Sequence, residues 1–381
     1  MDFPLTAGQE RLAADVHRLA ADVLEPIARD GEPGRVNRRL VAALAEHGVL
    51  PRLFPEGAGG SREGDASAVQ LCLLREALAM GSTQAETALA MQGLGSYPIL
   101  QSGTEGMVDR YVRPVAGGQA VAAFALTEPE HGSDAAAIEL RADREGNGYR
   151  LTGVKTWISN APNADVYTLF ARTTDAGSKG VTAFIVPGDA DGLTGESIDL
   201  VSPHPIGRIE LDGVRVPGDH VLGEVDGGFR VALRTLDLFR PSVGAFAVGM
   251  ARAALEAASG HAAERHAFGK PLKEFQAVSH SLAEMATRTE AARLLVYSAA
   301  HAVDAGDPDV TRRSAMAKLF ATETAQWVVD AAIQIHGAAG LERGHLLEHL
   351  YRDVRAPRIY EGTSEIQREI IARELLRGSG S

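Results

Sequence analysis

A glutamate near the end of the chain has the surroundings that acid–base chemistry requires. Glu361 follows the apolar Ile359 and Tyr360 and precedes a predicted helix. Apolar surroundings raise the pKa of a carboxyl group towards neutral, which suits a general base. The alternative is a surface carboxylate that caps a helix, and this explains Glu365 better than Glu361. We therefore expect Glu361 to be the candidate base.

The helix after this glutamate is predicted from its capping residues. It begins near Thr363 or Ser364, and Gln367 stands three residues after Ser364. A serine followed by a glutamine at this spacing is typical of a capping box. We expect Ser364 to be the N-cap, with Gln367 as its reciprocal partner.

Two strand segments carry groups that suit a flat, polar ligand. The segment ALTEPEHGSD (125–134) ends an apolar strand and offers hydroxyls and backbone N–H groups. The segment KTWISN (155–160) places Trp157 where it can stack on a ring while Ser159 bonds the ring edge. The alternatives are a capped β-turn for the first segment and a core tryptophan for the second.

A third segment, RHAFGKPLKEFQ (265–276), carries cations in a loop. Gly269 and Pro271 interrupt two helical patterns there. Arg265 can pair with a phosphate, and Gln276 can read a base or a ribose. The alternative is an ordinary helix–helix connection with solvated charges.

The predicted secondary structure that positions these segments changes twice along the chain, from helices to strands and back to helices. Apolar residues at helical spacing dominate the first third, with patterns at 12–27, 37–48, 67–80 and 84–92. From about residue 120, short segments rich in β-branched and aromatic residues predict an antiparallel barrel or sandwich. After Gly227 long helical stripes return and predict an antiparallel bundle. The predicted domains are 1–117, 118–226 and 227–376, followed by a flexible tail at 377–381.

Composition excludes several classes of function. The net charge of −12 argues against a nucleic-acid partner, which would require clustered cations. No apolar run is long enough to span a membrane, and the acidic, amphipathic N-terminal segment does not resemble a secretory or mitochondrial signal. The single cysteine, Cys72, is expected to be buried and fits a reducing cytoplasm. His345 and His349 are four residues apart, but no third ligand candidate is nearby, so we interpret them as helix-surface residues and expect no metal.

The motifs combine into one resemblance. TEPEHGSD, KTWISN, RHAFGKPLKEFQ, QIHGAAG and IYEGTSEIQ stand in one order along nearly the whole chain, and together they resemble the acyl-CoA dehydrogenase family. The resemblance implies an α+β multidomain fold with an N-terminal all-helical domain, a middle antiparallel β-barrel and a C-terminal four-helix bundle. It also implies a FAD-dependent enzyme that dehydrogenates an acyl thioester.

The resemblance assigns cofactor roles to residues of this chain. The flavin ring would be lined by Phe124, Leu126, Thr127, Trp157 and Ser159. Ser133 would contact the flavin pyrophosphate or the substrate's pantetheine. The pyrophosphate and adenosine of a FAD bound mainly by a second subunit would be held by Arg265, Phe268, Gln276, Gln334 and Gly337, with Thr363 and Glu365 closing over the cofactor.

The resemblance also assigns the base and the substrate wall. Glu361 matches the carboxylate that removes the α-proton, while Tyr360, Gly362 and Arg240 belong to the substrate side. Phe239 occupies the position where some relatives carry the base, so it leaves Glu361 without a competitor and favours short or branched acyl chains.

Two departures from the family pattern bear on the substrate and the cofactor. Ser202-Pro-His-Pro-Ile-Gly replaces a usual Lys-x-Gly-x-x-x-Ser stretch and leaves open whether the thioester is on CoA or a carrier protein. Gly337-Ala338 replaces paired glycines, which is a small change.

The implied partners are an acyl-CoA or acyl-carrier substrate, electron-transferring flavoprotein and further copies of the chain in a tetramer or dimer. The nearest alternative function is a flavin monooxygenase of the same fold that acts on an amine, sulfur or aromatic substrate. Such relatives usually lack the glutamate, so Glu361 counts against this alternative. A catalytically silent binding protein would not require Arg265, Gln276, Gln334 and Glu361 together.

Overall fold

Helices occupy both ends of the chain and strands occupy its middle, in the order that the sequence predicts. The computed structural model describes residues 5–62 and 67–377. The predicted tail therefore lies, apart from Arg377, outside the described residues. The chain divides into two units. The helical unit contains the described residues of Met1–Glu25, Ser67–Glu86 and Asp237–Ser381, and the sheet unit contains those of Pro26–Ala66 and Thr87–Leu236. The domain boundaries predicted near residues 117 and 226 stay predictions.

The helices before the strands follow the predicted apolar patterns, except for two short ones after residue 102 that were not predicted. They are α1 (Ala7–Leu19), α2 (Glu25–Arg29), α3 (Arg38–Glu46), α4 (Ala68–Gly81), α5 (Thr83–Ser102), α6 (Glu105–Met107) and α7 (Arg113–Ala116). Helix α5 runs ten residues past its predicted end and contains Pro98. Cys72 on α4 is fully buried, as expected.

The strands of the middle region form one sheet. They are β1 (Ala122–Ala125), β2 (Arg141–Glu145), β3 (Gly148–Ser159), β4 (Val166–Arg172), β5 (Val181–Pro187), β6 (Leu193–Ser197), β7 (Ile206–Pro217) and β8 (Val221–Leu222). Their order is β6-β7-β3-β2-β4-β5-β8, and β1 pairs with β4.

The sheet is antiparallel at most of its pairings, with two exceptions to the prediction. Strand β1 runs parallel to β4, from Ala122 beside Val166 to Ala125 beside Leu169, and β2 meets β4 in parallel at one position. The β2–β3 hairpin lies between β1 and β4 in sequence, so β4 returns in the direction of β1. In the pairing of β3 with β7, a bulge lies between Lys155 and Ile158.

Long helices dominate the chain after the sheet. They are α8 (Gly228–Glu264), α9 (Gln276–Asp304), α10 (Val310–His336), α11 (Leu346–Asp353) and α12 (Ser364–Arg377), and a small hairpin of β9 (His266–Ala267) and β10 (Lys270–Pro271) joins α8 to α9. In the helical unit α10 packs on α9 and α12, and α4 packs on α9. Gly249 of α8 allows close packing on α4, because a Cβ there would lie 2.5 Å from the Glu76 carbonyl oxygen.

Candidate active site

Glu361 lies in a tight turn that enters α12. Its φ is 51°, and that of Gly362 is 90°. A left-handed glutamate is uncommon, and such strained residues concentrate at functional sites. A Cβ at Gly362 would also lie 2.5 Å from Nε2 of Gln367, so the end of that buried side chain would have to move. The Glu361–Gly362 turn, as we call these two residues, therefore depends on the glycine.

Two buried side chains hold the carbonyl groups of the Glu361–Gly362 turn. Gln367 Nε2 donates to the carbonyl oxygens of Glu361 at 3.2 Å and Gly362 at 2.9 Å. Lys318 Nζ, from α10, donates to the Gly362 carbonyl oxygen at 2.7 Å. Both side chains are fully buried, so these bonds are shielded from water.

Helix α12 begins at Ser364, as predicted, but its capping residues differ from the prediction. Thr363 is the N-cap, and its Oγ1 accepts from the Ile366 N–H at 3.3 Å. Ser364 donates instead to Glu323 on α10 at 2.6 Å. The predicted capping box of Ser364 and Gln367 is therefore wrong, because Gln367 bonds the preceding turn and not the cap.

The carboxyl group of Glu361 is buried among cations. Burial raises its pKa above the ordinary glutamate value, while the charges of Arg75, Arg240 and Lys318 act in the opposite direction. Its Oε2 atom is buried and has no hydrogen-bond partner among the described residues. A buried carboxylate oxygen without a partner can accept a proton from a bound molecule.

The two arginines near Glu361 are themselves fixed by neighbours. Arg75 of α4 is fully buried, pairs with Glu86 and donates to Ser242 Oγ at 2.7 Å. Arg240 is buried on α8 and pairs with Asp237 at 2.8 Å. The structure thus brings Glu361 together with one predicted neighbour, Arg240.

Two other predicted substrate-side residues lie in the same unit. Phe239 is buried beside Arg240 on α8. Burial raises the pKa of the Tyr360 phenol well above its usual value. Phe239 is therefore shielded from water. Tyr360 lies near the charged groups of Arg75, Glu86 and Glu361.

The first strand segment is built on a buried ion pair in the sheet unit. Lys155 Nζ lies 2.8 Å from Glu128 Oε1 and also donates to the Leu126 carbonyl oxygen at 2.8 Å. The Thr127 carbonyl oxygen accepts from the Thr156 N–H at 3.0 Å. This ties the residues after β1 to β3. Within the described part of the chain, the Thr127 hydroxyl makes no hydrogen bond of its own.

Two more predicted ring or pyrophosphate residues belong to the same region. Phe124 packs against Phe170 with ring centroids 4.9 Å apart, and Ser133 is exposed. They and Leu126 lie on or after β1, as predicted.

Trp157 is not a core residue. It lies in the β3 bulge with φ 57°, and 53% of its side chain is exposed. Ser159 Oγ, two residues later, lies 2.7 Å from His204 Nε2. An exposed indole beside hydroxyl groups fits a flat ring with a polar edge, such as the isoalloxazine of FAD.

The cation-bearing segment lies on the surface of the helical unit. Arg265 precedes the β9–β10 hairpin, and Gln276 begins α9; both are exposed. Phe268, at the hairpin turn, has φ 49° and is 96% exposed. Its ring meets the ring of Phe275 in an edge-on arrangement, with ring centroids 6.2 Å apart.

The remaining predicted cofactor residues lie at helix ends. Gln334 and Gly337 are exposed at the end of α10, and Gly337 has φ 64°. Thr363 caps α12, and hydrogen bonds from the Glu365 backbone and the Thr363 side chain lower the pKa of Glu365. Glu365 is therefore an exposed, ionised carboxylate.

Several residues of the site are absent from the sequence predictions. Lys318, Arg75 and the Lys155–Glu128 pair were not predicted to take part. The sequence contains a feature that could have pointed to Lys318: it is a charged residue between the apolar Met316 and Phe320. Arg75 has a similar feature, because it is a charged residue inside the apolar run of α4.

No group of three potential metal ligands occurs among the described residues. In the same part of the chain, no helix is long and apolar enough to cross a membrane.

Three domain models of one family match successive parts of the chain. The acyl-CoA dehydrogenase N-terminal domain matches residues 6–119, the middle domain residues 123–214 and the C-terminal domain residues 226–376.

Curated relatives match at full length. The probable acyl-CoA dehydrogenase FadE25 of Mycobacterium tuberculosis is 36% identical over 380 residues, covering 98% of this chain and 97% of that protein. The caffeyl-CoA reductase-Etf complex subunit CarC of Acetobacterium woodii is 36% identical over 368 residues, covering 94% of each.

Solved structures agree with these matches. Butyryl-CoA dehydrogenase from Megasphaera elsdenii superposes with a TM-score of 0.93 at 34% identity, covering 99% of this chain and 100% of that one. The FAD complex of PigA superposes with a TM-score of 0.91 at 30% identity, covering 98% and 99%. With its fold, its helix–β–helix order and all three domain models in agreement, the chain belongs to the acyl-CoA dehydrogenase family of FAD-dependent oxidoreductases.

Proposed function

We propose that the protein converts an acyl-CoA into the 2-enoyl-CoA and that Glu361 is the base. One observation carries this proposal: the Glu361 carboxyl is buried, its pKa is raised, and its Oε2 has no partner among the described residues. A buried carboxylate that is free to take a proton is what removal of a weakly acidic α-proton requires.

The reaction balances with one proton and one hydride. The α-carbon of the acyl chain loses its proton to the Glu361 carboxylate, and the β-carbon loses a hydride, so that a double bond forms between them. FAD, when bound, supplies the hydride acceptor. Glu361 ends the step as a neutral carboxylic acid, which burial favours over the charged form and which the three nearby cations oppose to a smaller extent.

The flavin would be held by two groups of residues. In the sheet unit, Phe124, Leu126, Thr127, Trp157 and Ser159 would line its ring, and Ser133 would contact its pyrophosphate or the substrate. The exposed Trp157 indole supports this assignment, and so does the Thr127 hydroxyl, which makes no hydrogen bond among the described residues.

A second copy of the chain would hold the rest of the cofactor. Arg265 and Gln276 are exposed polar groups beside the exposed Phe268, and such a surface suits pyrophosphate and adenosine. The residues we assign to it are Arg265, Phe268, Gln276, Gln334, Gly337, Thr363 and Glu365. Sharing of the cofactor would make the protein an obligate dimer or tetramer.

The substrate is proposed to be a short or branched acyl-CoA. Phe239 is buried and bulky, and it would narrow an acyl site formed with Arg240, Tyr360 and Gly362. The name of butyryl-CoA dehydrogenase, a similar solved structure, agrees with a short chain. A carrier-protein thioester is the alternative substrate.

The electron acceptor is proposed to be electron-transferring flavoprotein. A reduced flavin must pass its electrons on, and the related CarC is a subunit of an Etf complex. A cytoplasmic location, inferred from the sequence, stays a prediction.

An anaerobic titration tests the proposed function. The purified protein should be yellow from bound FAD, and a panel of acyl-CoAs from propionyl to octanoyl, with isobutyryl-CoA, should bleach it. We expect the short and branched members to bleach it fastest. A yellow protein that no thioester bleaches, but that consumes oxygen and NADH with an amine or aromatic compound, would contradict the proposal in favour of a monooxygenase.

A further inference from the structure

Lys318 is a buried cation without a carboxylate partner. Its side chain on α10 is fully buried, and among the residues that the structure describes its ammonium forms no ion pair. The other two cations near Glu361 differ in this respect, because Arg75 pairs with Glu86 and Arg240 with Asp237. Burial of an unpaired ammonium is strongly unfavourable, so a position of this kind calls for a reason other than stability.

The single hydrogen bond of Lys318 is aimed at the Glu361–Gly362 turn. Its Nζ lies 2.7 Å from the carbonyl oxygen of Gly362, which directly follows the proposed base. A hydrogen bond from an ammonium is about twice as strong as one between neutral groups. Both residues of this turn have positive φ, so the hydrogen bond from Lys318 holds a strained stretch of backbone that contains the proposed base.

The charge of Lys318 also acts on the Glu361 carboxyl. It lowers the pKa of that group, together with the charges of Arg75 and Arg240, against the larger effect of burial. The charged groups that face Lys318 are Glu361, Glu323, Glu365 and Arg240. Burial lowers the pKa of Lys318 itself to about 8, so the ammonium is protonated at neutral pH.

We propose that Lys318 is a positioning residue for Glu361, which fixes the Glu361–Gly362 turn through the Gly362 carbonyl and favours the ionised carboxylate through its charge. The inference rests on the proposed function, in which Glu361 removes the α-proton. Three substitutions distinguish the effect of the hydrogen bond from the effect of the charge. Lys318→Met removes the donor and the charge, Lys318→Gln keeps a donor without the charge, and Lys318→Arg keeps the charge.

The test reads the Glu361 carboxyl directly and then the reaction. Infrared difference spectra of the holoenzyme follow protonation of the Glu361 carboxyl with pH, and its band is identified by its loss in Glu361→Gln. Lys318→Met and Lys318→Gln should both move this titration to higher pH by about one unit or more, as loss of a neighbouring opposite charge does. Lys318→Arg should titrate close to the unmodified protein.

The reaction supplies the second measurement. At pH values below the pKa of Glu361, bleaching of the flavin by butyryl-CoA should slow in Lys318→Met by about tenfold for each unit by which that pKa rises, since each pH unit below the pKa of a base lowers its ionised fraction tenfold. The bleaching rate should fall less in Lys318→Gln, because the glutamine amide can still donate to the Gly362 carbonyl oxygen. Lys179→Met, on an exposed turn of the sheet unit, is the matched control and should behave as the unmodified protein.

The outcomes separate this inference from the function on which it rests. Unchanged carboxyl titrations in Lys318→Gln and Lys318→Met, even with lowered melting temperatures, would overturn the positioning role and leave only a structural one. If Lys318→Met does not fold, the difference between the carboxyl titrations of Lys318→Gln and Lys318→Arg is sufficient to test the positioning role. Bleaching of Glu361→Gln at the normal rate would instead refute the proposed base.

Discussion

The ammonium of Lys155 lies 2.8 Å from the carboxylate of Glu128, and both side chains are buried in the sheet unit. Glu128 also accepts the backbone N–H groups of Glu139 at 2.6 Å and Leu140 at 2.9 Å. One carboxylate therefore ties the segment after β1 to β3 and to the residues that enter β2. This is the segment to which we assign the flavin ring.

Glu128→Gln should destabilise the protein by about 3–5 kcal/mol, because it leaves the Lys155 charge buried without a counter-charge. The measurement is the urea dependence of unfolding. Glu145→Gln is the control, since Glu145 pairs with Arg150 and Arg215 at the exposed surface. Equal unfolding midpoints for the two variants would contradict a structural role of the buried pair.

Gly362→Ala should impair both folding and reaction. The φ of 90° is unfavourable for alanine, and its Cβ would lie 2.5 Å from Gln367 Nε2. We expect a loss of about 1–3 kcal/mol in stability and at least tenfold slower flavin bleaching. Gly260→Ala in α8 is the matched control, because nothing lies within 4 Å of its added Cβ. It should stabilise the helix slightly, and a Gly362→Ala enzyme with similar behaviour would show that the turn needs no glycine.

Trp157→Leu should weaken FAD retention while changing stability little. The indole is more than half exposed, so the folded chain gains little from it. An aromatic stack on a ring contributes about 0.5–1.5 kcal/mol beyond the area that it buries, which predicts FAD binding weaker by about two- to twelvefold. Flavin content after dialysis measures this. Trp327→Leu, at the second tryptophan of the chain, should retain its flavin; equal losses in both variants would exclude a specific role of Trp157.

The pH dependence of the reaction should report the raised pKa of Glu361. The carboxyl must be ionised to take a proton, so the rate falls as pH decreases through its pKa in the enzyme. Because burial raises that pKa, the acid limb of kcat/KM should lie at higher pH than an ordinary glutamate would give. Rates measured between about pH 5 and pH 9 check this, and a limb at the ordinary glutamate value would show that the carboxyl is not effectively buried in the enzyme.

The sequence predicts those parts of the fold in which one local pattern decides the structure. The apolar stripes give α9 and α10, and the β-branched runs give β3, β4, β5 and β7. Strands β2 and β6 were not predicted, because RADRE and LTGES contain few apolar residues and are held by pairing with β3 and β7. Local composition carries no information about such pairings.

The residues of the candidate site likewise fall into those that a local pattern predicts and those that it does not. Glu361 and Gly362 stand out because their motif is continuous in sequence. Lys318 and Arg75 do not, because they reach Glu361 through the packing of α10 and α4, 43 and 286 residues earlier in the chain. Only the fold reveals that a lysine in an apolar helix stripe donates to the turn of the base.

The central claim is that Glu361 removes the α-proton, and Glu361→Gln tests it most directly. The substitution keeps the size and polarity of the side chain but removes the base. The measurement is the rate of anaerobic flavin bleaching by butyryl-CoA, with flavin content measured in parallel. We predict full FAD content and a rate lowered by at least about 10²–10⁴-fold. Bleaching of the FAD-loaded variant at close to the normal rate would contradict the claim.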